Sequence, residues 1–220
     1  SDIITEAKNL GIDIKFSYVV VAAKGYKKVK SADIAKISEN KKDLSNIENI
    51  ECDCICVSGF WTPSIHLASQ SGNKSEFNEK IDAFIPKKSK QKENTIGSAN
   101  GKFTLEETIN EAFDKGYEIS NKITENNNKV SIPTVVEKKS TEHDKFWCVP
   151  LPKGKSYKRF LDFQNDVAVT DIELALREGF RSIEHVKRYT TLGMATDQGK
   201  TSNLNGLQLV SDIENKVVPQ

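Results

Sequence analysis

Two stretches carry the residues best suited to chemistry. The first is Cys52-Asp53-Cys54-Ile55-Cys56-Val57-Ser58-Gly59-Phe60-Trp61-Thr62-Pro63-Ser64. An acidic residue, an apolar strand and a Gly-x-x-x-Pro turn, Gly59 to Pro63, follow one another there. Without a Cβ, Gly59 lets backbone approach a dinucleotide at the carboxyl end of a strand. A buried strand ending in an ordinary turn is the alternative reading. The second stretch is Phe163-Gln164-Asn165-Asp166 followed by Arg177 to Asn203. Within it Thr190, Thr191, Gly193, Met194, Gln198 and Gly199 belong to a polar loop that runs into a helix N-terminus. Unpaired N–H groups, the helix dipole and Lys200 make an anion site there, with Lys187 and Arg188 adding positive charge. Such a site suits a flavin phosphate or the N1/O2 edge of a reduced isoalloxazine. From spacing alone, a solvated loop with helix caps remains the other reading.

The isolated candidates say less. Cys52, Cys54 and Cys56 alternate along an expected strand, and a zinc site would need Cys148 or His66 as fourth ligand. An apolar, thiol-lined strand face needs no such partner. His66 follows Trp61-Thr62-Pro63 and suits either a nucleotide contact or a helix start. His185 sits between charged neighbours on a short helix, and His143 falls in a polar linker. No Ser/His/Asp or Cys/His arrangement is readable, so no catalytic acid, base or nucleophile is named.

The elements that must position these residues follow from periodicity and punctuation. Residues 1–10 place Ile4, Ala7 and Leu10 at helical spacing with Gly11 as the stop, and Ile12 to Val21 reads as a strand. Tyr26 to Ile37 offers one or two short strands, and Ile50 to Val57 is the most strand-like run. Together these suggest the second half of a doubly wound nucleotide-binding unit. Asn73 to Phe84 is mixed, and Pro86 to Asn94 is a Lys-rich loop. Gly97-Ser98-Ala99-Asn100-Gly101 then precedes a helix with Thr104 and Glu107 as a capping box, Leu105, Ile109, Ala112 and Phe113 as its buried face and Gly116 as its stop. From about Ser120 to Lys145 the polar composition reads as a linker. Beyond it, Phe160-Leu161-Asp162-Phe163 is a short strand, and Thr170 and Glu173 box a helix ending at Gly179. Ser182 caps a helix through Tyr189, and Leu204, Leu207, Val210 and Ile213 form the packed face of a last helix.

Composition narrows the classes. The 32 basic and 31 acidic residues nearly cancel, so no overall field gathers nucleic acid or an acidic membrane. No apolar run nears the roughly 20 residues that span a bilayer. Four cysteines, three of them on one expected strand, make no disulfide framework, and a reducing cytoplasm is expected. The chain opens inside a helical pattern and closes just after another, so both ends read as cuts in a longer protein.

The run from Phe160 to Asn205 resembles the α subunit of heterotetrameric sarcosine oxidases, and Ser58 to Ser71 with Gly97 to Gly116 resembles the preceding part of that subunit. The resemblance implies an α/β fold. Residues 1–119 would be the C-terminal half of a doubly wound, pyridine-nucleotide/FAD-type dinucleotide-binding domain, 120–145 a linker, and 146–220 a small, mostly helical [2Fe–2S]-ferredoxin-like domain. Gln164, Asn165, Asp197 and Thr201 stand where cluster cysteines would fall, so no iron–sulfur cluster is expected. The resemblance further implies oxidation of sarcosine with tetrahydrofolate and O2 to glycine, methylenetetrahydrofolate and H2O2. It implies β, γ and δ partner subunits, FMN at a subunit interface, FAD on the partner, and folate bound elsewhere in the α subunit. Gly59, Trp61, Thr62, Pro63, Gly97, Ser98 and Asn100 would bind the first domain's dinucleotide. Phe60 replaces a frequent second Gly, and Gly97-Ser98 lacks the Asp that many flavoproteins set on the ribityl chain, which favours NAD over FAD there. A subunit of a related amine or opine dehydrogenase, or a non-catalytic assembly module, is the alternative. The fragment alone is expected to be inactive.

Overall fold

The computed structural model describes residues 2–59, 61–124, 131–135 and 146–218. They fall into two compact units, one from 2–57 with 146–218 and one from the described residues of 58–135. This grouping by contact differs from boundaries at 119 and 146. The first unit opens with α1 (Asp2–Asn9), which stops before Gly11 as its sequence predicts. Strands β1 (Tyr18–Gly25), β2 (Val29–Ile37) and β3 (Leu44–Glu51) follow as an antiparallel meander in that order. Gly25 is obligatory at the first turn: with φ at +149°, a Cβ would meet the Lys28 carbonyl oxygen at 2.0 Å. In the central strand, Ala32 and Ala35 are buried beside Asp33, whose carboxylate takes the Lys24 ammonium at 2.8 Å and the Asn49 amide at 2.8 Å.

Two sequence expectations change here. The strand expected over Ile12 to Val21 starts at Tyr18, and the one expected over Ile50 to Val57 ends at Glu51. Among the described residues every strand pair is antiparallel, so no parallel doubly wound ladder forms. The reason is connection length. The links between β1, β2 and β3 are a few residues each, whereas a parallel crossover needs about a dozen or more. What stands is a mixed α/β chain with small antiparallel sheets and a helical C-terminal region.

In the second unit, α2 (His66–Gln70) leads to a hairpin of β4 (Ser75–Asn78) and β5 (Ala83–Pro86). Phe77 and Phe84 face each other across it, edge to face at 5.3 Å. A 3-10 turn, Gly97–Asn100, then precedes α3 (Leu105–Thr124). The Thr104 half of the expected capping box forms: Thr104 Oγ1 accepts the Glu107 N–H at 3.2 Å, and its hydroxyl donates to Glu107 Oε2 at 3.0 Å. The helix does not stop at Gly116. It carries on through residues expected to be linker, because Glu118 pairs with Lys115 at 2.8 Å and Lys122 at 2.7 Å across those turns. Of its expected buried face, Ile109, Ala112 and Phe113 are half-buried and Leu105 is exposed. The remainder of 120–145, including His143, lies outside the described residues apart from 131–135, which take no regular structure.

The helical region holds β6 (Phe160–Asp162), β7 (Val167–Ala168), α4 (Val169–Arg177), α5 (Ile183–Thr190) and α6 (Asn203–Glu214). Val167, Val169, Ile172, Ala175, Leu176, Val186, Leu192, Leu209 and Val210 form its core. The cap of α4 sits two residues earlier than expected, at Ala168 instead of Thr170, since Asp171, not Glu173, accepts a pre-helical N–H, that of Ala168 at 2.8 Å. Its stop before Gly179, φ +97°, is as read from sequence. The packed face of α6 is turned. Gly206, Leu209, Val210 and Ser211 are buried, whereas Ile213 is exposed. Gly206 explains the turn: a Cβ there would lie 2.4 Å from Leu192 Cδ2, so the bare glycine is where the preceding loop docks.

Candidate functional site

The loop between α5 and α6 is built on left-handed backbone at Thr191, Gly193, Gln198 and Gly199. Two carboxylates hold it. Asp162, 3% exposed at the end of β6, accepts N–H groups of Gly193 at 2.9 Å, Gln164 at 2.9 Å and Asn165 at 3.2 Å. Asn165 in turn donates its amide to the Thr191 carbonyl at 2.9 Å. Asp197 accepts the Gly199 N–H at 3.1 Å, the Thr201 N–H at 3.1 Å and the Thr201 hydroxyl at 2.7 Å. The Thr201 hydroxyl first, then these backbone donors, hold the Asp197 carboxyl below the usual aspartate range. Between the glycines lies Asn203. A Cβ on Gly193 would stand 2.0 Å from its Oδ1, and one on Gly199 2.1 Å from its Nδ2.

The chain thus supplies its own anion at the expected anion site. Gly199 and Thr201 N–H groups go to Asp197, and the Ser202 and Asn203 N–H groups go to the Gly199 carbonyl at 3.2 and 2.9 Å. The Thr190 hydroxyl donates to the Val186 carbonyl at 2.8 Å and that of Thr191 to the Thr190 carbonyl at 2.6 Å. Lys187 is half-buried beside Glu184 at 3.8 Å. Arg188, Thr191, Met194, Gln198 and Lys200 are the exposed members of the set. Sequence reasoning missed Asp162 as a hub. Its position, an acid closing an apolar strand directly before a polar turn, was the available signal.

The other candidate residues lie in the second unit. Glu111 of α3 accepts the Gly97 N–H at 2.7 Å through Oε2 and the Asn100 amide at 2.7 Å through Oε1, so one carboxylate fastens both ends of the 3-10 turn. Glu111 was not foreseen either, because it flanks the apolar stripe of its helix. Ser98 is exposed. Gly101, φ +77°, leaves no room for a Cβ, which would meet Ile81 at 2.6 Å, Ile85 at 3.2 Å and Pro63 at 4.0 Å. The structure therefore joins Pro63 to the Gly97–Gly101 segment. Gly59, Trp61 and Thr62 are exposed, and nothing lies within 4 Å of a Cβ built on Gly59. Phe60 lies outside the described residues.

The cysteines do not share a strand face, because β3 has ended before them and 52–59 follows an irregular course. Cys54 and Cys56 are exposed with their sulfurs 3.8 Å apart, and Cys52 is half-buried. Cys148 packs against the helical core, where Arg159 donates to its sulfur at 3.1 Å and burial pushes its thiol up. Among the described residues no group of three or more His, Cys, Asp and Glu side chains could hold a metal ion. His66, at the start of α2, and His185, on α5, are both exposed. No helix among the described residues is long and apolar enough to cross a membrane.

Comparison with known proteins gives these features a context. Residues 156–220 match the Sarcosine oxidase A3 domain. The chain is 34% identical over 165 residues to sarcosine oxidase subunit alpha of Rhizobium meliloti (strain 1021), covering 74% of this chain and 16% of that protein. The corresponding subunit of Corynebacterium sp. (strain U-96) is 29% identical over 195 residues, covering 83% of this chain and 19% of the relative. That of Corynebacterium sp. (strain P-1) is 26% identical over 214 residues, covering 94% and 22%. The chain spans about a fifth of the length of these relatives. Among solved structures, L-proline dehydrogenase from P. horikoshii superposes with a TM-score of 0.51 at 21% identity, over 98% of this chain and 43% of that one. At that identity the likeness is one of fold. This chain is accordingly a partial homologue of the sarcosine oxidase α subunit, one that includes the A3 domain.

Proposed function

We propose that this chain is a working segment of a heterotetrameric sarcosine oxidase, and that its α5–α6 loop faces a flavin at a subunit interface. The match of residues 156–220 to the A3 domain carries this reading. In the assembled enzyme the reaction would be oxidation of sarcosine with tetrahydrofolate and O2 to glycine, methylenetetrahydrofolate and H2O2. Partner β, γ and δ subunits would complete the assembly, the β subunit holding the amine-oxidising site and FAD, with FMN at the interface. Residues 1–119 would belong to a dinucleotide-binding domain, taking NAD. Localisation would be cytoplasmic.

Within the loop, the roles divide by exposure. Arg188, Met194 and Lys200 are exposed side chains that would meet a cofactor, Gln198 is exposed but donates its amide to the Ala195 carbonyl at 2.9 Å, and Asp162, Asp197, Gly193, Gly199 and Asn203 shape the backbone. Lys200 would then act as a charge placed near a reduced flavin, not as one member of a phosphate cradle. A second reading has one observation in its favour: because Asp197 already occupies the backbone donors, the basic exposed residues suit docking onto an acidic protein surface. The deciding experiment compares wild type and Lys200→Ala in the complete α subunit purified with its partners. Lower FMN content or slowed electron passage between flavins during sarcosine turnover, with assembly intact, supports the cofactor-facing loop. Unchanged flavin behaviour with weakened subunit association makes the loop a docking surface and overturns the first reading.

A further inference from the structure

We propose that Cys54 and Cys56 form a proximal dithiol that a peroxide converts to an intramolecular disulfide, making this Cys-x-Cys a thiol modification site. The two sulfurs already stand 3.8 Å apart, and both residues are exposed. Closing the bond requires them to approach by nearly 2 Å, to about 2.05 Å. Among the described residues, no ladder pairing holds this segment. Ladder pairing ends at Ser31 opposite Glu51, the Cys52 N–H makes a last bond to the Lys30 carbonyl at 3.1 Å, and 52–59 then runs without regular structure. Cys52 is held by that bond and is half-buried, so the ladder separates it from the free pair that follows. Cys148 is half-buried against the core under the Arg159 guanidinium.

The chemistry balances with a peroxide as the named oxidant. One thiolate sulfur attacks an oxygen of H2O2, the O–O bond breaks, and the departing hydroxide takes up a proton as water, leaving a sulfenic acid. The neighbouring thiol attacks that sulfur, the S–S bond forms, the S–O bond breaks, and a second water leaves with the remaining proton. Two thiols lose two electrons and the peroxide gains them. Proximity favours the second step over further oxidation, because the resolving sulfur is already in van der Waals contact. The hydrogen bond shared with Cys56 pushes the Cys54 thiol up, which suits Cys54 to the part of the neutral thiol that attacks the sulfenic acid. None of this depends on the proposed enzymatic role.

The test uses the full 220-residue chain, reduced and then exposed to one equivalent of hydrogen peroxide, with free-thiol titration and peptide mass mapping. Wild type should lose two of its four thiols, and the peptide spanning Cys54 and Cys56 should become lighter by two hydrogens, reversibly with dithiothreitol. Cys54→Ser and Cys56→Ser should each abolish that product, and Cys52→Ser should leave it intact. All three replace side chains that contribute little to packing, and circular dichroism checks their fold. A disulfide that includes Cys52 or Cys148, only intermolecular disulfides or sulfinic acids, or four thiols surviving the treatment would each overturn the assignment.

Discussion

The two candidate regions are fastened alike and supported differently. In the α5–α6 loop and in the Gly97–Asn100 turn, carboxylates of the chain itself take donors that a ligand would otherwise meet: Asp162 and Asp197 collect backbone N–H groups in one, and Glu111 takes the Gly97 N–H and the Asn100 side-chain amide in the other. Asp162 sits 3% exposed beside a core of nine buried aliphatic and alanine residues. Glu111 sits half-buried on a helix none of whose residues is buried. A hydrogen bond backed by close packing cannot be exchanged for water without unmaking the packing, whereas one at a half-buried site can. The loop is therefore part of the helical region's fold, and the turn is a local device.

The largest effect expected from this contrast is at the glycines that enclose Asn203. Gly199→Ala adds a Cβ 2.1 Å from the Asn203 amide at φ +76°, combining a backbone penalty with a clash. A loss on the order of 3 kcal/mol is expected. Urea unfolding followed by near-ultraviolet circular dichroism measures it, and an unchanged midpoint would mean that the loop is not packed as described. Asp162→Ala comes next. It strands the N–H groups of Gly193, Gln164 and Asn165 and should cost about 2–3 kcal/mol. Glu111→Ala, by contrast, should cost about 1 kcal/mol or less. Its signature should be faster amide exchange at Gly97 with the core amides of α4 unaffected, whereas Asp162→Ala should speed exchange at the core too.

Acid sharpens the same contrast. The folded-state carboxyl of Asp197 titrates below the ordinary aspartate value of 3.8, so its contribution is complete above that value and fades as pH falls through the lower folded one. Asp33 behaves in the same direction, held down first by Lys24 and then by Asn49. Wild type should lose stability over that acid window, and Asp197→Asn should lose less of it. Equal slopes for the two proteins would remove Asp197 from the account.

Local signals were the legible part of this chain. Gly11 and Gly179 marked real helix ends, and Thr104 with Glu107 marked a real helix start, because each acts through bonds within a few residues. Long-range partners were not legible. The Asp162 hub depends on Gly193, 31 residues away, and nothing in a window around either announces the other. Strand limits slipped for a related reason: Cys52 to Val57 has strand-like composition, but pairing with β2 ends at Glu51 opposite Ser31. The face of α6 was misread because apolar spacing alone cannot anticipate that a glycine, Gly206, receives a loop leucine. At the candidate site, the residue types were readable as a set, but not their division into those that shape the backbone and those that face outward. That division follows from which N–H groups Asp197 takes.

The smallest expected effect concerns the end of α3, where sequence placed a linker and the structure has helix. Lys115 and Lys122 hold the Glu118 carboxyl down to about 2, both pairs lying on the exposed surface. A depressed folded value means the pairs act at neutral pH and lose their support only as pH falls toward about 2. Exposed pairs are screened by salt and contribute little to global stability. Glu118→Gln should consequently leave the global unfolding midpoint unchanged and speed amide exchange only from Tyr117 to Thr124, with the difference shrinking in high salt. If exchange there is unchanged, Gly116 does not rely on these pairs to be carried within the helix, and the intrinsic preferences of Ile119 to Ile123 suffice. If the global midpoint drops, α3 is coupled to the rest of its unit more firmly than its lack of buried residues implies.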